Sequence, residues 1–213
     1  MTRGGTVGAV GFYEQRLLPR LVDRALGTPG MEGWRKETTS GLAGRVVEIG
    51  FGSGLNLEHY PPEVETVLAV EPSALGRRLA EKRVARCGAT VEHVGLAGES
   101  IPLEDGSCDA ALATFTLCTV EDPVGVLREI RRVLKPGGRF HFLEHGLAPD
   151  PSVMTWQRRL EPLQRRLAGG CRLTRDPLSL LEAAGMVLEE SEQRYAAGPK
   201  AWTWFTRGVA RAS

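Results

Sequence analysis

A dominant charge is the first thing this chain lacks. Its 27 Lys and Arg meet 26 Asp and Glu, a formal net charge of +1, so no global field points to nucleic-acid binding. Long apolar runs are missing too. No uncharged stretch approaches the roughly 20 residues that span a bilayer, and the first residues lack the apolar stretch of a signal peptide. Cysteine is sparse and scattered: Cys87, Cys108, Cys118 and Cys171 have no short paired spacing. They resemble neither a zinc site nor a disulfide framework, so reduced thiols and a cytoplasmic setting are expected. The four histidines lack ligand spacing, which argues against a metal requirement. Internal repeats and low-complexity tracts are absent. What remains is ordinary for a globular protein: 213 residues, 42% hydrophobic and 25% charged, enough for one domain with a good core.

One stretch stands out, Val46-Val47-Glu48-Ile49-Gly50-Phe51-Gly52-Ser53-Gly54-Leu55-Asn56. It starts as a β-branched apolar run, the pattern of a buried parallel strand. It then breaks into three glycines at alternate positions, where the backbone can adopt unusual angles and let a ligand approach the main chain. A strand, a glycine turn and a helix start together form a nucleotide-binding device. A second run, Thr66 to Val70, ends in Glu71, an acid placed to accept ribose hydroxyls. This much fits a dinucleotide or an adenosyl cofactor. The dinucleotide fingerprint puts its third glycine one residue later, which disfavours a nicotinamide dehydrogenase.

From Gly44 onward strand and helix alternate, so a mostly parallel sheet with helices on both faces is expected. Strands are read at Arg45–Gly50, up to Glu71, Thr90–Val94, Cys108–Phe115 and Arg139–Glu144. A short helix is expected from Ser53 to the Pro61-Pro62 stop. Further helices follow the caps Ser73, Asp122-Pro123 and Asp176-Pro177. Met186–Tyr195 and Trp202–Ala210 read as a hairpin, bringing the count to seven strands with one antiparallel at the end. Before the sheet, residues 1 to about 11 read as poorly ordered. Phe12 to Leu26 reads as one or two amphipathic helices, with Leu18, Leu21, Val22 and Leu26 on one face and Pro19 as a kink or a start. Its two readings are a lid over the cofactor cleft and a membrane-surface helix. Gly27 to Gly44 reads as a loop with a helical piece near Trp34. In the last third, Trp156, Leu160, Leu163 and Leu167 recur at helical spacing opposite Arg158, Arg159, Arg165 and Arg166, a face that is either solvated or in contact with anionic lipid or substrate.

The glycine loop, Val70-Glu71-Pro72, Asp105-Gly106-Ser107-Cys108-Asp109 and the run Leu127 to Gly138 together resemble the class I S-adenosylmethionine-dependent methyltransferases of the ubiquinone/menaquinone-methyltransferase superfamily. Thr116-Leu117-Cys118-Thr119-Val120, Phe142-Leu143-Glu144-His145, Trp156-Gln157 and Gly170 to Arg175 are similar to stretches of the methyltransferase-like thiol S-methyltransferases. The resemblance implies a Rossmann-like α/β fold over residues 45–213, residues 1–44 as a helical lid region, and S-adenosylmethionine as cofactor. It implies a small, fairly apolar acceptor, a thiol before a quinone precursor, an amine lipid or a natural product. A non-catalytic cofactor-binding protein is the rival of another class. The membrane segment of the animal relatives is not matched here, which leaves peripheral contact at most. A monomer or weak dimer is expected.

Ligands of such folds sit beyond the carboxyl ends of the strands. That position and the resemblance give the cofactor Gly50, Phe51, Gly52, Ser53, Gly54 and Asn56 from the loop. Glu71, Pro72 and Ser73 follow at the second strand, Ala97, Gly98 and Glu99 after the third, and Thr114, Phe115 and Thr116 after the fourth. Ala97 stands where the superfamily usually has an acid, so adenine is left to backbone and apolar groups. Glu48 either orients the loop or the cofactor's ammonium, or is a buried acid tied to backbone N–H groups. His145 is the best general base by type, with a loop hydrogen bond as its alternative role. Cys118 lines the pocket or packs as a small hydrophobe. Glu144, Cys171 and Arg175 are assigned to the acceptor side: Cys171 as packing or pocket wall, Arg175 as an anion binder or helix-end partner. His141 is expected to face away.

Overall fold

The computed structural model describes Tyr13 and residues 16–212. The glycine-rich opening and Phe12, Glu14 and Gln15 lie outside the described residues. Helix α1 (Leu18–Leu26) has Pro19 in its first turn, so the proline starts the helix instead of kinking it. The segment read as a loop with a helical piece is a full helix, α2 (Pro29–Thr39), which buries Met31, Trp34, Arg35, Thr38 and Thr39. Its glycines hid it, because each one weakens the local propensity that tertiary burial then overrides.

Strands β1 (Gly44–Ile49), β2 (Val64–Val70), β3 (Thr90–Gly95), β4 (Cys108–Thr114), β5 (Leu134–His145), β6 (Met186–Tyr195) and β7 (Trp204–Ala212) form one sheet in the order β3-β2-β1-β4-β5-β7-β6. The first five run parallel to one another, and β7 runs antiparallel between β5 and β6. This is the seven-stranded, mostly parallel Rossmann-like sheet with one antiparallel strand that the resemblance implies.

Alternation along the central strands feeds two cores. Val47, Ile49, Ala111, Ala113, Phe140 and Phe142 point to one face, where helix α4 (Pro123–Val133) supplies Val126, Leu127, Ile130 and Val133. Val46, Val67, Ala69, Ala110 and Leu112 point to the other, with Leu42, Phe51 and Leu57. Each large side chain so buried contributes roughly 1.5–3 kcal/mol. His141 is buried on this second side of β5, its Nδ1 2.8 Å from the carbonyl of Thr38 in α2, away from the strand ends as expected.

Three helix starts follow their caps. Ser73 accepts from Gly76 N–H at 3.0 Å ahead of α3 (Ala74–Val84), Asp122 from Gly125 N–H at 2.8 Å, and Asp176 from Leu178 N–H at 3.2 Å ahead of α6 (Pro177–Ala183). Such caps contribute about 1 kcal/mol each. Two expectations needed correction. The helix after the glycine loop is only a 3₁₀ turn, Leu57–His59, because the loop's left-handed glycines cannot propagate a helix and the prolines at 61 and 62 end it at once. Strand β5 begins at Leu134 rather than Arg139: Cys108 pairs with Leu134 and Ala110 with Arg139, so residues 135–138 bulge out of register.

Helix α5 (Pro151–Leu167) is rotated from its expected orientation. Trp156, Leu163 and Leu167 are exposed, and only Leu160 of the four turns partly inward, while Val153 and Gln157 are buried. Gln157 sets the rotation. Its Nε2 donates to the carbonyls of Gly146 (3.1 Å) and Ala201 (3.3 Å), the latter in the short helix α7 (Lys200–Thr203), and its Oε1 accepts from Ala148 N–H at 3.0 Å. Three buried backbone groups thus depend on one amide, which outweighs the apolar stripe. Among the described residues, no helix is long and apolar enough to cross a membrane.

Candidate active site

Strand β1 lies between β2 and β4, and the chain leaves it toward opposite sides of the sheet, so a crevice opens at the carboxyl ends of these strands. The glycine loop forms one wall. Gly50, Gly52 and Gly54 have φ of +70°, +59° and +73°. Gly50 has a further constraint: a Cβ there would lie 2.0 Å from Thr116 Oγ1, so the loops after β1 and β4 touch at that point. At Gly52 a Cβ would meet nothing nearer than 3.7 Å, which leaves bare backbone for a ligand to lie against.

Glu71 follows β2 directly and is buried. Its Oε2 accepts from Gly52 N–H at 2.6 Å and its Oε1 from Ser73 N–H at 2.7 Å, so one carboxylate ties the glycine loop to the start of α3. Each oxygen keeps a second acceptor site, which a ribose diol can use. Burial raises its pKa against the pull of the two N–H donors and Arg77.

Beneath the loop is a buried polar network. Glu48 accepts from Asn56 Nδ2 and from the Tyr60 hydroxyl, both at 2.7 Å. Its partners are therefore side chains, not the backbone N–H groups expected for a tied-down acid. Burial pushes its pKa up to about 7 against those hydrogen bonds and nearby Arg35. Arg35 Nη1 donates to Asn56 Oδ1 at 2.7 Å and to Thr114 Oγ1 at 3.3 Å, while its buried Nε has no partner. Burial lowers this guanidinium to about 10. Helix α1 joins from above: Ser53 Oγ donates to Asp23 Oδ1 at 2.6 Å, and Arg83 Nη1 donates to both Asp23 Oδ1 and the Ser53 carbonyl at 2.9 Å.

The opposite wall is built on the turn after β4. Phe115 has φ +54°, the one positive value at a non-glycine position among the described residues. Strained backbone of this kind persists where its surroundings hold it. Here Glu144 holds it. Fully buried, its Oε1 accepts from the N–H groups of Thr116 and Leu117 at 2.8 Å and its Oε2 from Cys118 N–H at 3.2 Å. Glu144 thus lies under the loop and does not line a pocket; burial raises it to about 7 against those three donors. Arg175 is likewise engaged with main chain, donating to the carbonyls of Leu117 and Glu121 instead of presenting a free cation.

His145 is partly buried among rings, 5.2 Å from Phe115 and 5.4 Å from Phe205, both edge-on. Trp34 meets Phe205 edge-on at 5.4 Å. These four form an aromatic wall beside the ends of β4 and β5. Burial alone pulls the imidazole down to about 4. Behind the loop, Cys118 and Cys171 are buried with their sulfurs 3.8 Å apart, packed with Leu173.

The structure therefore brings together the loop glycines, Glu71 and Ser73 on one wall, Glu48, Asn56 and Thr114 below, and Thr116, Cys118, Glu144, His145 and Cys171 on the other. Phe51 turns its ring into the core, edge-on to His93 at 5.6 Å, leaving only its backbone near the loop surface. Gly98 is packed, with a Cβ there 2.7 Å from Ile49, and Ala97, Glu99 and Pro72 are exposed around it. The sequence reading missed Arg35, Trp34, Tyr60 and Phe205. The cue for the first two was the spacing of Met31, Trp34, Arg35 and Thr38, one face of a helix masked by glycines.

Comparison with known proteins agrees with this geometry. A family model described as a methyltransferase domain matches residues 47–142. The chain is 35% identical over 170 residues to thiol S-methyltransferase TMT1B of Rattus norvegicus, covering 76% of this chain and 66% of that protein. To the Mus musculus TMT1B it is 34% identical over 185 residues, covering 79% and 69%. It thus spans about two thirds of the length of these curated relatives. An S-adenosylmethionine-dependent methyltransferase from Mesorhizobium loti shares the fold at TM-score 0.64 and 20% identity, over 87% of this chain and 99% of that one.

Proposed function

The chain belongs to the family of S-adenosylmethionine-dependent methyltransferases that holds the thiol S-methyltransferases, and from there we propose that it methylates a small, fairly apolar thiol on sulfur. The observation that carries the acceptor class is the aromatic wall. Half-buried Phe115 and His145 present their rings beside the ends of β4 and β5, backed by the buried rings of Trp34 and Phe205, and the Arg194 guanidinium that lies 4.2 Å over Trp34 is already paired with Glu37 and Glu192. That surface suits an alkyl thiol better than an anionic or amine acceptor.

The residues present fit the cofactor. Glu71 would take its ribose hydroxyls, the bare backbone at Gly52 its closest approach, and exposed Leu96 and Ala97 its adenine. Arg35, with an unpartnered Nε in the buried network, would answer its carboxylate, and Glu48 its ammonium. When bound, the cofactor supplies a sulfonium methyl open to in-line displacement. The chain aligns the acceptor and excludes water, an effect that supplies up to about 7–11 kcal/mol in well-oriented reactions. The segment before β1 acts as a lid, with Asp23 latched to Ser53 and Arg83.

A thiol with pKa of about 8.5 is already a few per cent thiolate at neutral pH. His145 at about 4 is too weak a base to add much, since taking a thiol proton would run about 6 kcal/mol uphill. We therefore assign His145 and Phe115 to positioning, and Cys118 to the structure of the loop. Four free thiols among the described residues accord with a reducing, cytoplasmic setting, and the chain acts as a monomer or weak dimer.

The test is turnover with methyl-labelled S-adenosylmethionine and a panel of sulfide, alkyl thiols, catechols, amines and quinols, with products identified by mass. Label on sulfur alone is expected. Label on carbon, nitrogen or oxygen would overturn the acceptor class, and cofactor binding without any product would overturn catalysis.

A further inference from the structure

Cys118 and Cys171 are 53 residues apart in the chain, yet their sulfurs stand 3.8 Å apart. They belong to two loops that the fold draws together: Cys118 to the turn after β4 that Glu144 holds, Cys171 to the segment between α5 and α6. Arg172 N–H donates to the Cys118 carbonyl at 2.8 Å, so the two backbones are already paired at this point and the loops lie side by side. Gly169 and Gly170, at φ +58° and +89°, precede Cys171 and give its loop two backbone pivots. Among the described residues the other two cysteines have no sulfur neighbour of this kind: Cys108 contacts Ser107 and Cys87 lies against the Leu57 carbonyl.

We infer that Cys118 and Cys171 form a modification site, a dithiol that closes to a disulfide on reaction with a small hydroperoxide. An S–S bond of about 2.05 Å requires the two loops to close by less than about 2 Å in total. Cys171, on the loop that Gly169 and Gly170 let pivot, is taken as the attacking sulfur. Its pKa is lowered, first by the hydrogen bond that the Cys118 thiol can give its thiolate, and also by Gln164, while Cys118 is held up as the thiol partner. The Cys171 thiolate attacks one peroxide oxygen; an S–O bond forms, the O–O bond breaks, and the leaving hydroxide takes a proton to become water. The Cys118 sulfur then attacks the Cys171 sulfur; the S–S bond forms, the S–O bond breaks, and the second oxygen leaves as water with the Cys118 proton. Two thiols are oxidised and one hydrogen peroxide is reduced to two waters.

The bond would join the turn that carries Phe115 to the loop that carries Arg175, one wall of the crevice, and leave Glu71 on the other wall untouched. Resting on the acceptor-side reading above, this predicts that oxidation slows turnover without weakening cofactor binding.

The full chain, reduced and then treated with hydrogen peroxide, is quenched, denatured in an alkylating agent and cut with trypsin and an aspartate-specific protease. This places Cys118 and Cys171 on separate peptides, 109–121 and 167–172. The expected product joins those two peptides at a mass lower by two hydrogens, with Cys87 and Cys108 alkylated, and disappears in Cys171→Ser. Alkylation of Cys118 and Cys171, sulfinic acid on either without a link, or a link through Cys87 or Cys108 would overturn the site. This readout needs no methyl acceptor, so it stands apart from the identity of the substrate. Turnover of the oxidised chain should fall by about a hundredfold, the scale of an ångström-sized misplacement, and return with a dithiol reductant. Unchanged turnover with the bond formed would overturn the coupling to catalysis.

Discussion

Glu48 and Glu144 lie near the ends of β1 and β5, on either side of β4, and burial raises both to about 7, yet they are held differently. Glu48 is met by side chains, Asn56 and Tyr60, and Asn56 connects onward to Arg35 and Thr114. Glu144 is met by three consecutive backbone N–H groups and shapes the turn that carries Phe115. Side chains can turn to new partners at little cost, whereas main-chain donors in a strained turn cannot. The cofactor side of the crevice is therefore built to exchange partners when a charged ligand arrives. The acceptor side is built to stay in place.

The most direct way to break this contrast is to delete each acid. Glu144→Ala leaves three buried N–H groups unpaired, at about 1–3 kcal/mol each, so a loss of roughly 3–9 kcal/mol is expected in chemical denaturation. Glu48→Ala should cost less, about 1–3 kcal/mol, because Asn56 and Tyr60 can re-pair. Equal losses would erase the distinction.

Titration sharpens it next. Both carboxyls hold their proton more tightly folded than unfolded, at about 7 against 4.5. Their contribution to stability is full below about pH 4.5, falls as pH rises to about 7, and stays lower above that. His145 works the other way: its folded value of about 4 lies below 6.5, so its contribution is present above 6.5 and is lost as pH falls toward 4. Glu144→Gln removes one falling term. Measured by urea denaturation at successive pH values, it should gain on the wild type between about pH 4.5 and 7 by a margin of the order of 3 kcal/mol. A constant difference would show that Glu144 titrates normally.

Smaller effects follow at the ligand itself. Glu71→Ala should weaken S-adenosylmethionine binding by about 1.5–3 kcal/mol in calorimetry, the range for hydrogen bonds to a charged group. Unchanged affinity would remove its ribose role. For His145→Phe, the pH profile of kcat/KM should keep the wild-type shape near neutrality, because the imidazole does not titrate there. A lost ionisation between about pH 6 and 8, with a slope that follows acceptor pKa, would restore the general base.

The features legible in the sequence were those written locally. The glycine loop, Glu71, the caps at Ser73, Asp122 and Asp176 and the strand alternation each depend on a few adjacent residues, and each is found where the pattern puts it. Contacts made across the chain were not legible. Arg35 meets Asn56 and Thr114 only after α2 folds against the sheet, and the approach of Cys118 to Cys171 depends on two distant loops. Trp156 shows how a correct periodicity can still mislead. Its stripe is helical, but Gln157 has buried backbone to satisfy and turns the neighbouring face, with Val153 and Leu160, inward. Glu144 and Arg175 read as acceptor-side residues, yet both hydrogen-bond main chain of the segment after β4, because residue type alone cannot say that a charged group is already occupied.

The most direct measurement compares an alkyl thiol with the alcohol of the same carbon skeleton, following S-adenosylhomocysteine release and product mass with each at matched concentration. Methylation of the thiol sulfur, with none detectable on the alcohol, is the predicted result. Equal methylation of both, or of the alcohol alone, would contradict the assignment of a thiol acceptor.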